Sequence, residues 1–239
     1  MQAALWVVIL LVIVAMLFDF MNGFHDAANS IATVVSTGVL KPTTAVVFAA
    51  FFNVVALFIF HLSVAATVGK GIVEPGVVNT NVVFGALIGA IAWNVITWWY
   101  GIPSSSSHAL IGGICGAVIA KAGAQALVAE GIWKTVIFIF ASPALGFVLG
   151  SLMTAIVANI FRSSRPSRVD KWFRRLQLFS AGAYSLGHGG NDSQKTIGII
   201  WMLLIATGYV AAGDAEPPIW VIVGCYTAMG LGTMFGGWR

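Results

Sequence analysis

Two polar clusters set in long apolar stretches carry the residue types that could do chemistry here. They are Gly23-Phe24-His25-Asp26-Ala27-Ala28-Asn29 and Gly189-Gly190-Asn191-Asp192-Ser193-Gln194-Lys195, in which Gly23 aligns with Gly189 and Asp26 with Asp192 at one constant offset. A carboxylate at the centre of a bilayer costs about 2.5–3.5 kcal/mol. The same cost at matching points of two segments is hard to explain by packing, and it fits a carrier built from internal repeats with its site at their interface. A third cluster, Ser104 to Ser107, follows Pro103 between two apolar segments. A helix starting there would leave backbone N–H groups unpaired at its positive end, a cradle for a tetrahedral oxyanion to which four hydroxyls add donors. The alternative is that Pro103 starts a helix and the serines only cap it; spacing alone leaves both readings open.

Asp26 and Asp192 would repel an oxyanion unless cations sit between them or the carboxylates are protonated. Either solution makes anion binding depend on a cation, with each ligand strengthening the other by the same coupling energy. Asn29, Asn191, Ser193, Gln194 and Thr196 supply neutral oxygens suited to a hard cation such as sodium; interhelical hydrogen bonding, worth about 0.6 kcal/mol on average, is their alternative. Lys195 pairs with Asp192, neutralises part of a substrate or snorkels to the surface. His25, His108 and His188 each neighbour a polar break; they are read as structural, with a proton relay as the alternative. Asp19 helps shape the cavity, although Ser185 stands at its matching point.

These residues need a membrane around them. The chain of 239 residues is 59% hydrophobic and 8% charged with a mean hydropathy of +0.95, against about 25% charged in soluble domains. It is expected to be an all-α, polytopic helix bundle with inverted repeats and broken or re-entrant helices at the site. Apolar runs predict about seven helices near 3–21, 44–66, 80–100, 104–121, 132–161, 178–208 and 218–236. Breaks are expected at Gly23 to Thr37, Gly101 to His108 and Ser185 to Thr196, since irregular backbone at membrane depth lines a cavity or is buried in protein. The organisation follows as a first repeat over 1–161, a basic loop over 162–177 and the start of a second repeat over 178–239.

Six of the twelve basic residues lie between Arg162 and Arg175. That concentration reports orientation and not nucleic-acid binding: the 162–175 loop is expected to be cytoplasmic and the N-terminus outside, with Lys41 and Arg239 inside and Glu74, Asp214 and Glu216 outside. Lys70 and Lys121 are exceptions. Cys115 and Cys225 have no metal or disulfide spacing and are read as packing residues.

At these motifs the chain resembles the inorganic phosphate transporter (PiT) family. Its members carry paired motifs close to Gly-x-Asn-Asp-x-Ala-Asn, which residues 23–29 match with His25 in place of Asn and residues 188–195 resemble with Lys195 where the first has Asn29. Residues 102–112 are similar to the family's Pro-Ser/Thr-Ser-Thr-Thr-His segment. The resemblance implies phosphate symport with sodium or protons across the plasma (inner) membrane, no other cofactor, and no metal beyond a sodium ion. It leaves room for a homodimer. Carried over by position, Asp26, Asn29, Ser104, Ser105, Ser106, Ser107, Asn191, Asp192 and Lys195 bind phosphate. Asp26, Asn29, Asn191, Asp192, Ser193, Gln194 and Thr196 hold the coupling cation. A second serine/threonine loop, symmetric with 103–108, is absent from these 239 residues, so the second repeat is expected to be truncated.

Sulfate permeation remains the alternative within transport. A membrane serine hydrolase using Ser107 is disfavoured because there is no Gly-x-Ser-x-Gly elbow and His108 is adjacent to it on a helix; a passive channel is disfavoured because charged rings are missing.

Overall fold

The computed structural model describes residues 4–102, 104–211 and 216–237, without the side chains of 67, 69, 70 and 75. Pro103, Asp214, Arg239 and the Lys70 side chain lie outside that set. The described residues form helices α1 (Leu5–Ser36), α2 (Pro42–Val55), α3 (Ser63–Lys70), α4 (Thr80–Tyr100), α5 (Ser106–Ala122), α6 (Ala129–Phe161), α7 (Pro166–Ala206) and α8 (Ile219–Phe235). Among them the only β pairing is an isolated bridge between Val73 and Leu127. The fold is an all-α membrane helix bundle, in which α1, α4 and α6 are long and apolar enough to cross a bilayer.

Local chemistry sets several of these ends. Proline occupies the first turn of α2 and α7, where its missing N–H costs nothing. The Asn79 side chain accepts from the Val82 N–H at 3.0 Å to start α4, and Gly101, at φ 64°, closes it in the left-handed conformation that favours glycine. The Ser105 hydroxyl then accepts from the His108 N–H to start α5.

Only one of the three expected breaks exists. Helix α4 ends at Tyr100 and α5 begins at Ser106, but α1 runs unbroken through the first Asp motif and α7 through the second. The glycines of these motifs are used for close approach and not for unwinding. A Cβ on Gly23 would meet the Met229 carbonyl of α8, one on Gly232 the Phe20 carbonyl of α1, and one on Gly189 the Asn53 backbone of α2. Thus α1 packs on α8 and α7 on α2, the first helix of each motif-bearing half against the second helix of the other. An unexpected break splits the predicted 44–66 helix: α2 ends at Val55, and a short 3-10 turn at Ala56–Phe58 leads to α3.

The predicted loop over 162–177 is also mostly helix. Pro166 starts α7, so residues 162–165 alone separate it from α6, and the basic residues from Arg168 onward lie on the extended first turns of α7. At about 1.5 Å per residue this helix of 41 residues is roughly 60 Å long, twice the hydrocarbon thickness. Its basic end therefore projects beyond the apolar zone. Helix α6 has no buried residue, and its apolar surface suits lipid.

The Gly189 contact makes a measurable prediction. In Gly189→Ala the new methyl would sit 2.6 Å from both the Cα and the carbonyl oxygen of Asn53, so α2 must move. Asn53 donates to the Thr233 hydroxyl at 2.8 Å with both groups buried, which resists that movement. Overpacking of this kind costs about 1–3 kcal/mol. Gly187→Ala, where a Cβ meets nothing within 4 Å, should hold or raise stability; thermal unfolding in detergent separates the two.

Candidate functional site

On α1, Asp19, Asn22 and Asp26 fall at i, i+3 and i+7, which puts them on one face. On α7, His188, Asp192 and Lys195 fall at i, i+4 and i+7. The two helices pack together, and the N-terminus of α5 completes the group. All three α1 residues are buried, as are Ser106 and Asp192.

The hydrogen bonds close these groups into one network. The Ser106 hydroxyl donates to the Asn22 side-chain oxygen and lies 3.2 Å from Asp26 Oδ2. Asn22 Nδ2 donates to Asp192 Oδ2 at 3.4 Å. Lys195 Nζ donates to both Asp192 Oδ1 and the Ser107 hydroxyl. Each aspartate also has a histidine beside it: His25 Nδ1 is 3.0 Å from Asp26 Oδ1, and His188 Nδ1 is 3.5 Å from Asp192 Oδ2. One ligand atom each from Asp26, His188 and Asp192 lies within 4.8 Å of the others. At that distance and an effective dielectric of about 20, two carboxylates repel by roughly 3–4 kcal/mol. A monovalent cation or a proton between them would relieve this.

The first intrahelical bond of α5 runs from the Ala109 N–H to the Ser105 carbonyl, so the N–H groups of Ser106 and Ser107 precede the helix ladder. This positive end faces the carboxylates and Lys195. Beside it opens a cleft of about 410 Å³ lined by His25, Thr97, Trp98 and Tyr100, with Trp98 and Phe24 in ring contact, 5.9 Å between centroids.

The residues expected at the site divide accordingly. Asp26, Ser106, Ser107, Asp192 and Lys195 come together, and Asn29, though exposed, reaches Asp26 Oδ1 at 3.4 Å. Ser105 is an N-cap, and Ser104 accepts from the Trp93 indole at 2.8 Å. Asn191 is exposed and bonds back to the Gly187 carbonyl. Gln194 ties α7 to the start of α3, accepting from the Val64 N–H at 3.0 Å and donating to the His61 carbonyl at 2.9 Å. Thr196 donates to Asp19 at 2.9 Å, and the buried Ser193 hydroxyl is unpartnered among the described residues. Asn191, Ser193 and Gln194 thus turn away from the Asp26–Asp192 pair, because one unbroken helix sends consecutive residues to different faces, whereas Thr196, four residues after Asp192, keeps its face and meets Asp19 one turn further along. Asn22, the bridge of the network, was missed; its spacing of three from Asp19 and four from Asp26 was the available signal.

Residues 22–167 and 159–239 match the Phosphate transporter family. The chain belongs to that family. It is 56% identical over 229 residues to the probable low-affinity inorganic phosphate transporter of Rhizobium meliloti (strain 1021), covering 96% of this chain and 68% of the relative. It is 49% identical to the protein of the same name from Bacillus subtilis (strain 168), covering all of this chain and 72% of that one. The solved structure of "The sodium-dependent phosphate transporter" superposes with a TM-score of 0.88 at 21% identity, covering 98% of this chain and 76% of that one. At that identity the likeness establishes the fold. The relatives are named as transporters, in keeping with a carrier and not an enzyme.

Proposed function

We propose that this family member is a secondary active transporter that moves inorganic phosphate with a cation across the plasma membrane. The observation that carries the reading is the placing of Asp26 and Asp192, within 4.8 Å, against the N-terminus of α5 and Lys195. Two acids this close recruit positive charge, and the α5 terminus with Lys195 recruits an anion. Phosphate and cation would then occupy adjoining places, and each would improve the other's affinity. Residues 1–161 and 178–239 act as the two repeats, each supplying one aspartate. The basic segment from Arg162 faces the cytoplasm and the N-terminus faces outside, with lipid on the apolar faces of α1, α4 and α6. The names of the relatives support phosphate as substrate, and that of the solved neighbour supports cation coupling.

Labelled phosphate uptake into liposomes holding the protein, under imposed proton or sodium gradients, tests this. Uptake should saturate, follow one gradient and resist excess sulfate. Sulfate competing as well as phosphate would replace the substrate, and uptake indifferent to both gradients would remove the symport mechanism.

A further inference from the structure

Asp19 lies two turns below Asp26 on the same face of α1 and has no exposed surface. Its Oδ1 accepts from Thr196, and its Oδ2 is buried without a partner among the described residues. An ionised carboxylate so enclosed is far more costly than a neutral acid with one unpaired oxygen. Something must cancel the charge. The ionisable groups facing it are Asp192 and Lys195 on α7 and Cys225 and Tyr226 on α8. Helix α2 has none, α4 has Tyr100 alone at its far end, and α1 adds His25 and Asp26. Lys195, the one fixed cation facing it among the described residues, is already bound to Asp192 and Ser107.

We infer that Asp19 is the proton-binding site of this carrier, taking up the coupling proton that accompanies phosphate. A hard metal cation would need several oxygens. Here α1, α7 and α8 run unbroken past the carboxylate, so their carbonyls are engaged in helix bonds, and among the described residues Thr196 brings the one hydroxyl hydrogen-bonded to the carboxylate. A proton needs only Oδ2. The link to the substrate is electrostatic: Thr196 adjoins Lys195, and Asp19 senses the charges of Asp192 and Lys195. An anion that draws on Lys195 leaves the polar seam more negative and raises the affinity of Asp19 for a proton; by linkage the bound proton favours the anion equally.

This inference rests on phosphate symport, and its test separates the two. Asp19→Asn keeps the Thr196 bond and imitates the protonated acid. In liposomes it should retain phosphate exchange at equal pH but lose at least tenfold of the accumulation driven by a proton gradient, while Asp19→Glu retains that accumulation. Infrared spectra of the purified protein at neutral pH should contain the carbonyl stretch of a protonated, solvent-shielded carboxyl group that Asp19→Asn lacks. Unchanged gradient-driven accumulation in Asp19→Asn, or no such band in the unmodified protein, would overturn the assignment. Absence of phosphate uptake by the unmodified protein would instead strike the phosphate reading, and the infrared band would still decide the protonation state of Asp19.

Discussion

Asp26→Asn should lower phosphate uptake by about 10²-fold or more while leaving thermal stability unchanged or higher. Asp26 faces His25 and Ser106, and Asn29 donates to it; none of these carries a fixed positive charge. An amide keeps the shape of the side chain and removes one of two carboxylates that repel by roughly 3–4 kcal/mol at an effective dielectric of about 20. Folding therefore loses little. Transport loses the charge that recruits the cation, and hydrogen bonds to charged groups contribute about 1.5–3 kcal/mol each. Losing two charge-dependent interactions of about that size, one with the bound cation and one with the Ser106 hydroxyl, corresponds to at least about two powers of ten in rate or affinity. Initial uptake rates and detergent melting curves on the same preparation decide it. Uptake within roughly threefold of the unmodified protein would remove Asp26 from the site, and a melting point that falls with uptake would make its role structural.

The doubled aspartate was legible in the sequence because its cost has no packing compensation, and a residue as expensive as an intramembrane carboxylate stands out against apolar neighbours. The serine run was legible for a different reason: a helix must start after a break, and its first N–H groups must go somewhere. What could not be read was the backbone of the two motifs. Glycine beside polar residues looks the same whether the chain unwinds or a neighbouring helix presses against it, and only the Met229 carbonyl opposite Gly23 and the Asn53 backbone opposite Gly189 tell the two apart. That one ambiguity propagated. With the Ser185 to Thr196 stretch taken as unwound, Ser193, Gln194 and Thr196 looked able to turn inward together. As a continuous helix it sends Gln194 to cap α3 and Thr196 to Asp19. Asn22 was hidden because an asparagine in an apolar run carries no charge to mark it; its role follows only from a helical face shared with Asp19 and Asp26.

Lys195→Met offers the sharpest separation of structure from transport. The lysine holds Asp192 and Ser107 at once, with its side chain 19% exposed and that of Asp192 10% exposed. Removing it leaves a mostly buried carboxylate with Asn22 and His188 beside it but no fixed cation, and breaking a buried pair costs about 3–5 kcal/mol; those partners and the residual exposure argue for the lower end, about 3 kcal/mol. Uptake should vanish, because the α5 end loses its neighbouring cation as well. Asp192→Asn alone should cost less in stability, since Lys195 keeps Ser107 and can reach water along its stem. The double change should then regain most of the stability lost in Lys195→Met, giving a coupling energy near 3 kcal/mol in the cycle, yet it should not regain uptake. A double variant no more stable than Lys195→Met would mean that the lysine acts through packing and not through charge. A double variant that transports would mean that neither residue touches the permeating ions.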